Sequence, residues 1–133
     1  MLRNKTAYPI VACIDLARAK RFYVETLGLP LIADVGDLFT VRTGDTVLNV
    51  YRSDHAGTNR ANAVVWGCGD EIESIVAELA AKGVVFEHDH MPGMEMRGDL
   101  HAMGDFRAAW FKDPDGNILH INSFARADET AFA

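Results

Sequence analysis

The chain has 133 residues, 49% of them apolar and 24% charged, which suits one globular domain with a full hydrophobic core and is too short for two independent ones. Its formal net charge of −6, with no cluster of Lys and Arg, repels phosphate backbones and argues against nucleic-acid binding. No segment approaches the ~20 apolar residues of a membrane span, Met1-Leu2-Arg3-Asn4-Lys5 carries no apolar signal core, and Cys13 and Cys68 are the only cysteines, so a cytoplasmic protein with reduced thiols and no membrane partner is expected.

In chain order, Tyr8 to Cys13 is an apolar run, and Asp15 after it is placed to cap a helix whose apolar positions are Leu16, Ala19, Phe22, Tyr23 and Leu27, ending at Gly28. Strand patterns follow over Leu31–Val35, Leu38–Arg42 and Thr46–Tyr51. The polar stretch Ser53 to Arg60 reads as a linker. The order then repeats: Ala63 to Cys68 is a second apolar run, and Asp70, with Glu73 completing a capping box, opens a helix through Ile72, Ile75, Val76, Leu79 and Ala80 to Gly83. Val84–His88, Phe106–Lys112 and Asn117–Asn122 are the strands of this copy. Each copy therefore reads β-α-β-β-β, with module one at about residues 6–52, the linker at 53–60, module two at about 61–123 and a C-terminal tail at 124–133.

Between the last two strands lies Asp113-Pro114-Asp115-Gly116-Asn117. Pro114 presets the backbone of a turn and Gly116 supplies a positive φ, which closes a hairpin and fixes where His120 points. This hairpin, together with Phe22-Tyr23 through Leu27-Gly28-Leu29-Pro30, resembles the vicinal-oxygen-chelate superfamily of glyoxalases, bleomycin-resistance proteins, thiol-transferring fosfomycin-resistance enzymes and extradiol dioxygenases, over roughly residues 6 to 123. The resemblance implies an α+β fold in which two tandem βαβββ modules form a curled mixed sheet, an open barrel around a concave cavity with the helices outside. It fixes the scaffold and the place of the site, and leaves the chemistry to the residues there.

The resemblance also implies where metal-dependent members draw their ligands: inward positions on the first and last strands of each module, here Tyr8, Asn49 (or Leu48 if the hairpin at Gly44-Asp45 shifts the register), Ala63 and His120. A divalent ion needs roughly three or four His, carboxylate or thiolate donors. Only His120 qualifies, so no metal and no other cofactor is expected, unless His88, His90, Glu95 or His101 supplies a nonstandard site.

Strand alternation puts Tyr8, Ile10 and Ala12 on one face with Val47, Asn49 and Tyr51, and puts Ala61, Ala63 and Val65 inward in the second copy. Ile118, His120 and Asn122 share a face, and a three-residue loop places Trp110 opposite His120, with Ala108 beside it and Arg107 turned away. Asp89 to Gly104 looks too irregular for one element and, carrying four of the five methionines, reads as an adaptable lid or a partner-contact segment.

The expected ligand residues are Tyr8, Asn49, Tyr51, Trp110, His120, Ile118 and His101, a mostly apolar lining with polar tips that suits a small organic molecule. A binding protein of the bleomycin-resistance type with a degenerate metal site is the first reading. The alternative is an enzyme, a lyase, isomerase or dioxygenase, either metal-free with His120 as general base and Tyr8 as proton donor or metal-dependent with rearranged ligands. A homodimer is the expected assembly.

Overall fold

In the computed structural model, which describes residues 1–125, the chain divides into two compact units, 1–60 with 113–117, and 61–112 with the residues from 118 on. The expected C-terminal tail lies, from residue 126, outside the described residues. Each unit carries its own mixed sheet with a helix, which is the α+β architecture of two βαβββ modules expected from the sequence.

The sheet of the first unit has the order β1-β4-β3-β2, from β1 (Ile10–Cys13), β2 (Leu31–Asp34), β3 (Leu38–Thr43) and β4 (Thr46–Arg52), with β1 parallel to β4 and the other pairs antiparallel. Asp15 caps α1 (Leu16–Lys20) by accepting a hydrogen bond from the Arg18 N–H at 3.1 Å, as its position predicts. The helix then widens into a π-helical segment, Arg21–Thr26, which buries Tyr23 completely. Val11, Cys13, Phe39, Val41, Leu48 and Val50 are buried. Alternation leaves Ile10, Ala12, Thr40, Asn49 and Tyr51 on the other face of this sheet.

The turn 113–117 is the hydrogen-bonding hub of the first unit. Asp113 is buried, and its Oδ1 accepts from the N–H groups of Asp115 and Asn117 at 3.0 and 2.9 Å. Its Oδ2 accepts from the Tyr23 hydroxyl at 2.6 Å and the Asn117 amide at 2.8 Å. Asn117 also donates to the Ala12 carbonyl, and Asp115 accepts from the Ile14 N–H and the Arg18 guanidinium. Burial and the neighbouring Asp113 carboxylate push the Tyr23 phenol far above its ordinary ionisation range. Gly116 adopts φ +92°, the conformation the motif predicts.

The second unit has the order β5-β10-β9-β8-β7, with β5 (Asn62–Gly67) parallel to β10 (Ile118–Asn122), and β9 (Phe106–Lys112) antiparallel to β10. One edge of β9 takes two partners: β6 (Phe86–Glu87) at Trp110 and Phe111, and β8 (Leu100–Met103) at Phe106 to Ala108. Helix α2 (Ile72–Ala81) buries Ile72, Val76 and Leu79 at helical spacing. It stops in a Schellman arrangement, where Gly83 at φ +94° donates to the Ala80 carbonyl and Val84 donates to that of Leu79.

Three expectations change here. Asp70 does not cap α2: the chain enters through a 3-10 turn, Gly69–Glu71, and the helix begins one turn later without a side-chain cap. Asp89 to Gly104 is not irregular throughout, because β7 (Glu95–Arg97) and β8 form a hairpin across Gly98-Asp99. These strands are too short for their alternation to stand out. The strand expected at Val84–His88 shrinks to β6. No helix among the described residues is long and apolar enough to cross a membrane.

Candidate functional site

The hairpin register sets the site. His120 lies opposite Trp110, and Asn122 opposite Ala108; His101 of β8 pairs with Ala108 on its other side. Trp110, His120, Asn122, Ile118 and His101 therefore share one face of the second sheet, and all five are buried. Phe111, Leu119 and Ile121 occupy the opposite face, where Phe86 meets Phe111 edge-on with ring centroids 5.6 Å apart.

The amide of Asn122 determines the state of His120. Its Oδ1 accepts from the Phe124 N–H at 3.1 Å, so its NH₂ is the group 3.2 Å from His120 Nε2. That nitrogen must then be the acceptor, and the proton sits on Nδ1, which donates to the Ala109 carbonyl at 3.1 Å. His120 is thus a neutral imidazole with both nitrogens occupied. Burial is the main cause holding its pKa below the ordinary 6.5.

Around Trp110 the rings form a stack. The His120 ring lies 4.3 Å from the indole at 22°, and that of His90 lies 4.6 Å away at 21°. The two imidazoles come from opposite flanks of β9, since His120 is on β10 and His90 follows β6 by three residues. His101 meets the indole edge-on at 4.8 Å. The indole N–H donates to the Asn62 side chain at 3.1 Å.

His101 is fully buried, its Nε2 accepts from the His90 backbone N–H at 2.9 Å, and its Nδ1 makes no hydrogen bond of standard geometry among the described residues. Desolvation by burial is again the main cause lowering its pKa from 6.5. His90 sits 3.5 Å from Glu87, and His88 pairs with Asp99 at 2.7 Å. The irregularity expected over Asp89 to Gly104 does not extend to His101. It is an interior strand residue.

A pH dependence follows from the two buried histidines. Depressed folded pKa values mean that the unfolded chain binds more protons once the pH drops below about 6.5. The stability these groups contribute is complete above that pH and is lost as the pH falls through their folded values. Denaturant titrations between pH 7.5 and 4.5 should show the midpoint falling, and His120→Gln together with His101→Gln should flatten that fall.

The remaining expected site residues belong to the first unit. Tyr8 precedes β1 and is 52% exposed, so Ile10, not Tyr8, is the register partner of Asn49. Asn49 accepts from the Thr40 hydroxyl at 2.7 Å. Tyr51 is exposed at the end of the same face, and Leu48 is buried on the other. In the second unit the alternation expected through Ala61, Ala63 and Val65 is interrupted, because a bulge in β5 leaves Ala63 without a register partner opposite the Ile118/Leu119 step, and so pairs Asn62 with Ile118 and Val65 with His120. Asn62 escapes sequence reading for this reason, since nothing in the residues of β5 marks Ala63 as the extra residue of a bulge. His90 escapes because stacking across a loop has no period.

The family model described as the Glyoxalase/Bleomycin resistance protein/Dioxygenase superfamily matches residues 5–121. The chain belongs to this superfamily. Among similar solved structures, a superfamily protein from Alicyclobacillus acidocaldarius has a TM-score of 0.70 at 19% identity, covering 94% of this chain and 95% of that one. A lactoylglutathione lyase from Agrobacterium tumefaciens has a TM-score of 0.67 at 16% identity, with 90% and 92% covered. A fosfomycin resistance protein from Mesorhizobium loti has a TM-score of 0.67 at 11% identity, with 94% and 96% covered. At these identities the likeness concerns the fold.

Superfamily membership makes the donor set worth testing residue by residue. Ala63 has no donor atom, Asn49 offers an amide oxygen already accepting from Thr40, and the Nε2 lone pair of His120 is taken by Asn122. Among the described residues, no group of three or more His, Cys, Asp or Glu side chains is arranged to hold a metal ion. These residues do not fit a resident divalent ion.

Proposed function

We propose that this chain is a small-molecule binding protein of the bleomycin-resistance type, with a degenerate metal site and an organic ligand held against the Trp110 face of its second sheet. The observation that carries this reading is the state of His120, whose two nitrogens are both engaged by Ala109 and Asn122. Such a histidine shapes and lines a surface; it offers its Nε2 lone pair to a metal ion or a substrate proton only if the Asn122 amide moves aside. The aromatic and imidazole rings around it provide flat, polarisable contact area with few charged groups, the usual composition of an organic ligand site. The net charge of −6 favours neutral or cationic ligands over polyanions.

The test is native mass spectrometry of freshly purified protein, followed by affinity measurement for whatever co-purifies. A stoichiometric small organic molecule is expected, with binding lost in Trp110→Ala and retained within about threefold in His120→Gln, which keeps an acceptor and a donor at that place. Turnover of the co-purifying molecule that His120→Gln abolishes while affinity persists would replace this reading with the enzymatic one, His120 acting as base. Near-stoichiometric zinc, nickel, manganese or iron would overturn the degenerate metal site. Dimerisation and a cytoplasmic location accompany the proposal, and light scattering at micromolar concentration tests the first.

A further inference from the structure

Two imidazoles flank Trp110, and they are held very differently. His120 belongs to a strand, has hydrogen bonds at both nitrogens and is 7% exposed. His90 belongs to the segment between β6 and β7, outside any regular element. Its side chain is 26% exposed, its ring has an ion-pair partner only at 3.5 Å in Glu87, and its backbone is tied to the site by the single N–H that donates to His101 Nε2. Among the described residues, the contacts holding His90 are those of a replaceable group: a ring stack, a half-buried pair at 3.5 Å and one backbone hydrogen bond.

We propose that the place on Trp110 occupied by the His90 ring is the subsite for a planar aromatic ring of the ligand, one carrying an N–H or O–H donor, and that the ligand enters by displacing His90. The proposal rests on the reading of this face as the ligand site and adds the chemical class. Stacking at 4.6 Å and 21° is the geometry an aromatic ligand would adopt on the same indole, so the imidazole holds open a slot of the right thickness. The donor requirement comes from His101. In the displacement the backbone of residue 90 swings out with its ring, and its N–H leaves the fully buried Nε2 of a histidine whose Nδ1 makes no standard hydrogen bond among the described residues. A buried acceptor stripped of its donor is costly, and a ligand N–H or O–H at the edge of the stacked ring restores the bond. A ring without a donor fills the slot and leaves that cost standing.

Indole and benzofuran, equal in shape and differing in the N–H, are the probes, with cyclohexanol as a donor that is not planar. Titration into ¹⁵N,¹³C-labelled protein is followed at the Trp110 indole N–H and the His90 ring C–H groups. Indole should give a saturable shift at Trp110 while the His90 ring signals move towards free-imidazole positions as they leave the indole. Benzofuran and cyclohexanol should bind about tenfold more weakly or less. In His90→Gly the ring is gone while the backbone N–H of residue 90 remains for His101, so indole and benzofuran should both bind about tenfold more tightly than indole does in the natural chain, and the difference between them should narrow. This residue lies outside the sheets, and the natural chain's own titration decides the matter if the variant does not fold.

Indole binding at Trp110 with unmoved His90 signals would overturn the displacement and leave the ligand-face reading intact. Equal affinity for indole and benzofuran in the natural chain would overturn the donor requirement. If no probe shifts Trp110 in either protein, the aromatic subsite is wrong, and the ligand-face reading is then judged by its own co-purification result.

Discussion

Asp113→Ala should destabilise the protein by about 3 kcal/mol or more. The buried carboxylate accepts four hydrogen bonds, from two turn N–H groups, the Asn117 amide and the Tyr23 hydroxyl. Hydrogen bonds to a charged acceptor contribute roughly 1.5–3 kcal/mol each, and they do not add when they share one group. Removing the acceptor leaves several buried donors unpaired at once, including the hydroxyl of the fully buried Tyr23. Tyr23→Phe deletes only one of the four and should cost about 1.5–2 kcal/mol. Urea denaturation of the two single variants and the double variant measures the coupling. A double variant as unstable as the sum of the singles would show that the hydroxyl and the carboxylate do not act together.

The second large effect is expected at Gly57. Its φ is +74°, and a Cβ added there would fall inside the backbone carbonyl oxygen of Asp115. Gly57→Ala therefore faces two costs. The left-handed conformation costs about 1–2 kcal/mol for an L side chain, and a backbone atom of the hydrogen-bonded turn must also be pushed aside. A total of ~3 kcal/mol or more is expected. Gly36→Ala separates the two costs, because that glycine has φ +99° with nothing within 4 Å of an added Cβ. It should lose only the conformational part. Equal losses at the two positions, read as denaturation midpoints at unchanged slope, would show that the turn yields to Gly57→Ala without resistance.

Much of this molecule is legible in its residues, for local reasons. Asp15 caps its helix because a short carboxylate just ahead of an apolar helical stripe meets a free N–H wherever the rest of the chain goes. Gly28, Gly83 and Gly116 adopt positive φ as their places at helix ends and in the turn require. The pairing of Trp110 with His120 follows from the length of the loop between them. Asp70 fails as a cap although its local pattern resembles that of Asp15, because Gly69 at φ +58° and a 3-10 turn lead the chain into α2 by another route. The site shows the same division. Trp110, His120, Ile118 and His101 can be read as sharing a face or flanking it. Asn62 on the indole N–H and His90 on the indole face cannot, since one depends on a bulge at Ala63 and the other on a loop crossing.

The sequence by itself determined the two βαβββ passes and the hairpin that carries His120, because each depends on spacing within a few residues of the chain. Only the tertiary structure decided that Asn122 occupies the lone pair of His120, that His101 is buried and accepts from the His90 backbone N–H, and that His90 covers Trp110. Hydrogen bonds and ring contacts of this kind join side chains from different strands and loops, and their directions are set by register and burial, which no stretch of sequence carries alone.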